Sequence, residues 1–285
     1  MSHSLPFRLS IITDEVSQEP AAAIGLALRF GFDALELRSV WDSPVELLPQ
    51  AKLTELIAMI KEAGLQVSAV ASSFMKEDWL RDDREKFERL VRCCHALDCN
   101  MIRGFSFWKS PNYSDAAFAD YLAAYDRLLS QEGLCLALEN DPAVNLPAAP
   151  ELCRFFSRYS FDSIGVLWDP GNDIYTLREN ARPYPEGYES LRPWIRHVHM
   201  KDAVLIDGEP VGVAQGEGLL DTAGQLSALI ADGYSGFVAL EPHFRLEGTL
   251  DEEQLRRPGG SAFSREGYLP SMISMEKLKN ILENL

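Results

Sequence analysis

At 285 residues the chain exceeds the usual single domain but fits a one-unit (β/α) barrel, and with 46% hydrophobic residues it can bury a large core. Its formal charge of −16 excludes sequence-independent nucleic-acid binding, which needs a basic face, and it opposes anionic membrane surfaces. A small anionic substrate stays open, because a local Arg/Lys cluster or a metal can reverse the sign of the field.

The first residues, "MSHSLPFRLSIITDE", lack the basic segment and apolar run of a signal peptide. No apolar run approaches the roughly 18 residues of a membrane helix. The five cysteines include no CxxC pair and read as reduced thiols, so a cytoplasmic protein with no membrane partner is expected. Cys93, Cys94 and Cys99 lie beside His95, but the amphipathic period of "RLVRCCHALDCN" favours a helix over a metal knuckle.

Short apolar runs then alternate with longer helical patterns. Strands are predicted at 7–14, 33–38, 66–72, 100–107, 134–139, 163–169, 195–201 and 236–241. Helices are predicted near 20–30, 46–63, 82–97, 115–131, 148–159, 184–193, 221–231 and 271–283. "RFGFDALEL", "EAGLQVSAV", "QEGLCLALE" and "ADGYSGFVALE" each place a Gly between a helix and the next strand, where a left-handed residue ends a helix cheaply. Alternation of this kind implies parallel pairing, and eight units close a (β/α)8 TIM barrel. No GxGxxG turn follows the first strand, so no nucleotide cofactor is expected. Residues 203–218 and 243–267 exceed a tight connection; both follow strands, which places them at the catalytic mouth.

Four strands end in Glu139 ("LALEND"), Asp169 ("VLWDPGN"), His199 ("HVHMKD") and Glu241 ("VALEPHF"). Successive side chains on a strand face opposite sides, which puts Glu139 with Cys135 and Ala137, Asp169 with Gly165 and Leu167, and Glu241 with Phe237 and Ala239. The acids thus share the mostly small-residue face expected inside a barrel. Three carboxylates and an imidazole in one buried volume lack enough cations, and a divalent metal resolves the conflict. Oxygen-rich ligation suits Mn²⁺, Mg²⁺ or Co²⁺, with Zn²⁺ as a further candidate. His197 shares the face of His199 but lies a layer deeper, which suits packing or a supporting contact behind the ligands.

In this order "GFDALELR", "LALEN", "WDPGN", "HVHMKD" and "ALEPH" resemble the xylose isomerase-like TIM barrels, and within them the sugar phosphate isomerase/epimerase group. That group includes ketose 3-epimerases, inosose dehydratases and endonuclease IV. The likeness covers nearly the whole chain and implies one domain over residues 1–285. It implies that Glu139, Asp169, His199 and Glu241 hold one divalent metal, with Glu139 and Glu241 as the acid/base pair. The three-zinc site of endonuclease IV needs further histidines, and here only His3 and His95 lie outside 197–243, neither at a strand end. Asn172 stands three residues after Asp169, where a histidine is expected in endonuclease IV and the ketose 3-epimerases. The arginine that those epimerases carry after the histidine strand is missing too, with Lys201 the available cation.

Moving a proton next to a carbonyl requires a stabilised enediolate and positioned carboxylates, and loss of water begins with the same step. The expectation is a metal-dependent isomerase or epimerase of a small sugar, sugar phosphate or polyol ketone. The alternatives are a dehydratase of a keto-polyol or keto-acid and a non-catalytic metabolite-binding barrel. Substrate contacts are expected from Lys201, Arg103, Asn172, Glu36, Lys76, Trp108 and Glu217, the last within an anion-facing "QGEG" turn. Glu36 and Arg38 share a strand face, so a structural pair between them is the alternative to a substrate contact. A homodimer is left open.

Overall fold

The computed structural model describes residues 5–285, so His3 lies outside it. Eight strands form one closed parallel barrel. They are β1 (Arg8–Ile12), β2 (Ala34–Leu37), β3 (Gln66–Phe74), β4 (Met101–Gly104), β5 (Cys135–Glu139), β6 (Ile164–Trp168), β7 (Ile195–Met200) and β8 (Phe237–Leu240). β1 pairs with both β2 and β8, which closes the ring.

The main outer helices are α1 (Pro20–Phe30), α2 (Gln50–Glu62), α3 (Arg84–Leu97), α4 (Asp115–Glu132), α5 (Ala149–Phe156), α6 (Pro170–Leu177), α7 (Thr222–Ala231) and α8 (Tyr268–Glu283). Leu26, Leu56, Leu90, Leu122, Leu152 and Leu278 bury the inner faces of six of them against the outward side chains of the barrel. Gly31 ends α1 at φ +64°, the left-handed conformation that the sequence placed there. Asp98 does the same for α3 at φ +53° without a glycine, since a short polar side chain tolerates that region.

Inside the barrel the residues are small or polar. Ser10 and Ser68 share a hydrogen bond of 2.7 Å across the interior, and Ala34, Ala137 and Ala239 are fully buried. These short side chains leave room for long polar ones from the strand ends.

The expected elements are present with several departures. The strand predicted at 7–14 stops at Ile12, and Thr13–Val16 coils into a helical turn. The helix predicted at 184–193 is broken into short turns, because Pro183, Pro185 and Pro193 supply no backbone N–H. In its place α6 begins directly at Pro170, with Asp169 as its N-cap. The 203–218 segment folds as a hairpin of Asp202–Ile206 on Glu209–Val213, and the 243–267 segment carries two short helices, Glu252–Arg256 and Gly260–Ser264.

Candidate active site

The four strand-end residues meet. Ligand atoms of Glu139, Asp169, His199 and Glu241 all lie within 4.8 Å of one another, and all four side chains are buried. Asp169 serves two purposes: its Oδ1 accepts the Asn172 backbone N–H at 3.2 Å to cap α6, which turns Oδ2 toward the cluster. Glu139 Oε1 accepts from Asn172 Nδ2 at 3.2 Å, and Oε2 lies 3.3 Å from Arg103 Nη1. Glu241 Oε1 accepts from Arg38 Nη1 and Oε2 from Lys201 Nζ, each at 2.7 Å. His199 presents Nδ1 to Glu139 Oε1 at 3.5 Å and to Glu241 Oε2 at 3.6 Å.

Electrostatics of the cluster are those of crowded, dry carboxylates. Burial favours protonated Glu139 and Glu241, yet Arg103 for the first and Lys201 for the second hold both below the usual carboxylate range. For Asp169 burial wins over Lys201, with Glu241 and Glu139 adding repulsion, and its pKa is raised. Burial opposes the charge on His199 and Lys201, but Glu36 for the first and Asp169 for the second drive both pKa values up.

A divalent cation suits these donors. Glu139 Oε2, Asp169 Oδ2 and His199 Nδ1 are buried polar atoms that meet no well-directed hydrogen-bond partner, although Lys201 Nζ stands 2.8 Å from Asp169 Oδ2 and Arg103 Nη1 3.3 Å from Glu139 Oε2. The chain thus supplies more cations here than the sequence suggested, Arg38, Arg103 and Lys201, yet buried atoms without a directed hydrogen bond remain costly in a protein interior. Three carboxylates and one imidazole form a hard, oxygen-rich set that matches Mn²⁺, Mg²⁺ or Co²⁺.

A cavity of about 630 Å³ opens over the cluster, lined by Glu139, Asn172, Lys201 and Glu241 at its floor and by Lys76, Arg103 and Trp108 at its wall. Asp169 and His199 lie beneath that floor, both 0% exposed. Lys76 is buried, pairs with Asp141 at 2.7 Å and lies over the Phe105 ring. Trp108 is buried between Lys76 and Arg256 of the Glu252–Arg256 helix, which roofs the mouth.

Two expected substrate contacts are corrected. Glu36 is fully buried below the cluster, where its carboxylate accepts from His197 Nε2 at 2.7 Å and His199 Nε2 at 2.8 Å. It neither reaches the cavity nor pairs with Arg38, which instead binds Asp14, Glu15 and Glu241. Glu217 points away from the mouth to Lys277 of α8 at 2.7 Å. The glycine turn around it does receive an anion, but one from the chain itself: Asp202 accepts the backbone N–H groups of Gly216, Gly218 and Leu220.

His243 was not singled out by strand pattern, because it lies two residues beyond Glu241 in a loop. At φ +45° it folds back so that Nε2 comes within 3.2 Å of Glu15 and 3.6 Å of Glu241, and it lines the cavity. "TDE" after β1 and "EPH" after β8 were the available signals: polar residues just past barrel strands.

No curated protein matches the chain in sequence. Among solved structures it resembles D-allulose 3-epimerase from Methylomonas sp. in complex with D-allulose (TM-score 0.70, 16% identity, 98% of this chain and 99% of that one). It also resembles the probable 3-DHS dehydratase AsbF from Bacillus anthracis (TM-score 0.67, 17% identity, 91% and 98%). A third is a xylose isomerase-like TIM barrel protein from Mycobacterium smegmatis in complex with magnesium (TM-score 0.66, 15% identity, 99% and 98%). At such identities the likeness speaks for the fold. The family model for the xylose isomerase-like TIM barrel, however, matches residues 24–258, and together with the closed barrel it places this chain in that family.

Proposed function

We propose that the protein is a divalent-metal-dependent isomerase or epimerase of a small sugar or polyol ketone. The observation that carries this is the convergence of Glu139, Asp169, His199 and Glu241 on one buried volume beneath an open cavity. Glu139, Asp169, His199 and Glu241 would hold the ion, which when bound supplies Lewis acidity for the negative charge that develops on the substrate's oxygen. Glu139 and Glu241 come from different strands and take up and return the proton of the carbon next to the carbonyl. Arg103 and Lys201 keep both acids ionised, as a base requires. Asn172 orients Glu139 through Oε1. The sugars bound or acted on by the solved relatives agree with this reading.

A second reading, a dehydratase of a keto-polyol or keto-acid, is favoured by one observation. The Lys201 ammonium is held at the cavity floor between Asp169 and Glu241, where it can donate a proton to a departing hydroxyl.

Metal analysis of the wild type beside Glu139→Gln and Glu241→Gln tests the common step. One divalent ion per chain in the wild type, reduced in both variants, is expected; a wild type that binds none removes the mechanism. Incubation of keto-sugars in D₂O then separates the readings. Deuterium uptake at an otherwise unchanged mass marks isomerase or epimerase chemistry, and a product lighter by one water marks the dehydratase.

A further inference from the structure

Below the four-residue cluster the barrel interior holds a carboxylate that takes no part in it. Glu36 rises from β2 and is 0% exposed. Its partners, His197 and His199, stand on β7, with β1 and β8 between. The register explains how it reaches them: His199 lies beside Ala239, Ala239 beside Ser10, and Ser10 beside Ala34, two residues before Glu36. Small side chains across that layer clear a path through the interior.

An aliphatic residue would fill this space at lower desolvation cost than a carboxylate. What the carboxylate adds is direction. Glu36 Oε1 accepts from His199 Nε2, which commits that nitrogen to carrying a proton, so that the lone pair of the neutral ring falls on Nδ1. Nδ1 is the nitrogen that faces Glu139 and Glu241, and it is buried without a partner of its own. His197 Nε2 occupies Oε2, so Glu36 cannot rotate away to another donor.

We propose that Glu36, held in place by His197, is a positioning residue that fixes His199 as the Nε2–H tautomer and thereby sets the affinity of the site for a divalent cation. The inference rests on the metal-dependent reading of the site and adds to it a control outside the ligand set. A carboxylate behind a ligating imidazole fixes the ring and raises its basicity, and losing such a partner typically weakens metal binding by about 10- to 100-fold.

The test measures Mn²⁺ affinity by EPR titration for the wild type, Glu36→Gln and His197→Gln, with circular dichroism to establish folding. Glu36→Gln keeps the volume but loses the charge and one acceptor, and a rise in Kd of about 10- to 100-fold is expected. His197→Gln retains an N–H donor for Glu36 and is expected to lose less. Nitrogen-15 NMR of the Zn²⁺-loaded wild type reads the tautomer directly and needs no variant to fold. Coordination through Nδ1 with a proton retained on Nε2 is expected. Coordination through Nε2, or a folded Glu36→Gln with wild-type affinity, overturns the proposal while leaving the metal-dependent function standing. A wild type that binds no ion removes the function itself.

Discussion

At the scale of single residues the site is defined by which oxygen or nitrogen each side chain commits and which it leaves free. Lys201 shows the consequence. Its ammonium is the cation paired with Asp169 and one of two that hydrogen-bond Glu241, so Lys201→Met leaves buried Asp169 without a cation and Glu241 with Arg38 alone on one oxygen. The metal-free variant is expected to lose about 3–5 kcal/mol of stability. Added Mn²⁺ should recover much of that loss, read by urea denaturation with and without the ion. Asp173, a turn beyond Asp169, titrates differently. Burial raises its pKa to about 7, against about 3.9 for an unfolded aspartate. The folded state thus keeps a proton that the unfolded chain gives up. Its contribution is complete below about pH 4 and is lost as the pH rises through 7. Asp173→Asn preserves the acceptor for Asn140 Nδ2 and the Ala149 N–H. It is expected to flatten that slope and to stabilise the protein at pH 8 by up to about 4 kcal/mol, measured as denaturation midpoints at pH 5 and pH 8.

At the scale of elements, polar residues at strand ends also shape the loops. α6 starts where Asp169 caps it and Pro170 supplies a fixed φ, so one residue serves both helix and cluster. "WDPGN" carries this Asp-Pro start signal at the end of a strand, where the same residue also serves the cluster. Asp202 plays the corresponding part for the turn after the hairpin. Its two oxygens accept from Ala203, Gly216, Gly218 and Leu220 at 2.9–3.1 Å. Asp202→Asn turns an amide N–H₂ toward two of these donors. A cost of about 1–3 kcal/mol is expected. Faster hydrogen exchange at Gly216 and Gly218, with barrel amides unchanged, would show the loosening to be local; unchanged exchange there would count against the clamp.

At the scale of the whole molecule, barrel closure brings residues from opposite ends of the chain to one mouth. Glu241 and Arg38 are 203 positions apart and form a 2.7 Å contact because β1 sits between β2 and β8. Ligand binding at such a junction stabilises the whole fold. At a free Mn²⁺ concentration of 100 times Kd the gain is about 2.7 kcal/mol, a rise in Tm of about 5 °C. Calorimetry with the ion and then with excess chelator should show the shift and its reversal, and Glu139→Gln should reduce it. A Tm indifferent to divalent ions would count against the proposed function.

Strand and helix alternation, the glycine helix ends and the inward face of each strand were legible in the sequence, because they are set by periods of 2 and 3.6 and by local backbone preference. The convergence of Glu139, Asp169, His199 and Glu241 followed from those periods once eight units implied closure. Partner choice was not legible. Glu36 and Arg38 share a strand face, but the deeper one turned to histidines 161 and 163 positions away and the shallower one to Asp14, Glu15 and Glu241. Glu217 turned outward to α8, and His243 folded back into the mouth. A pattern along one strand specifies the side of the sheet a residue faces. Which distant group lies within about 3 Å of it depends on the register and stagger of every strand in the closed ring, and those are properties of the tertiary structure alone.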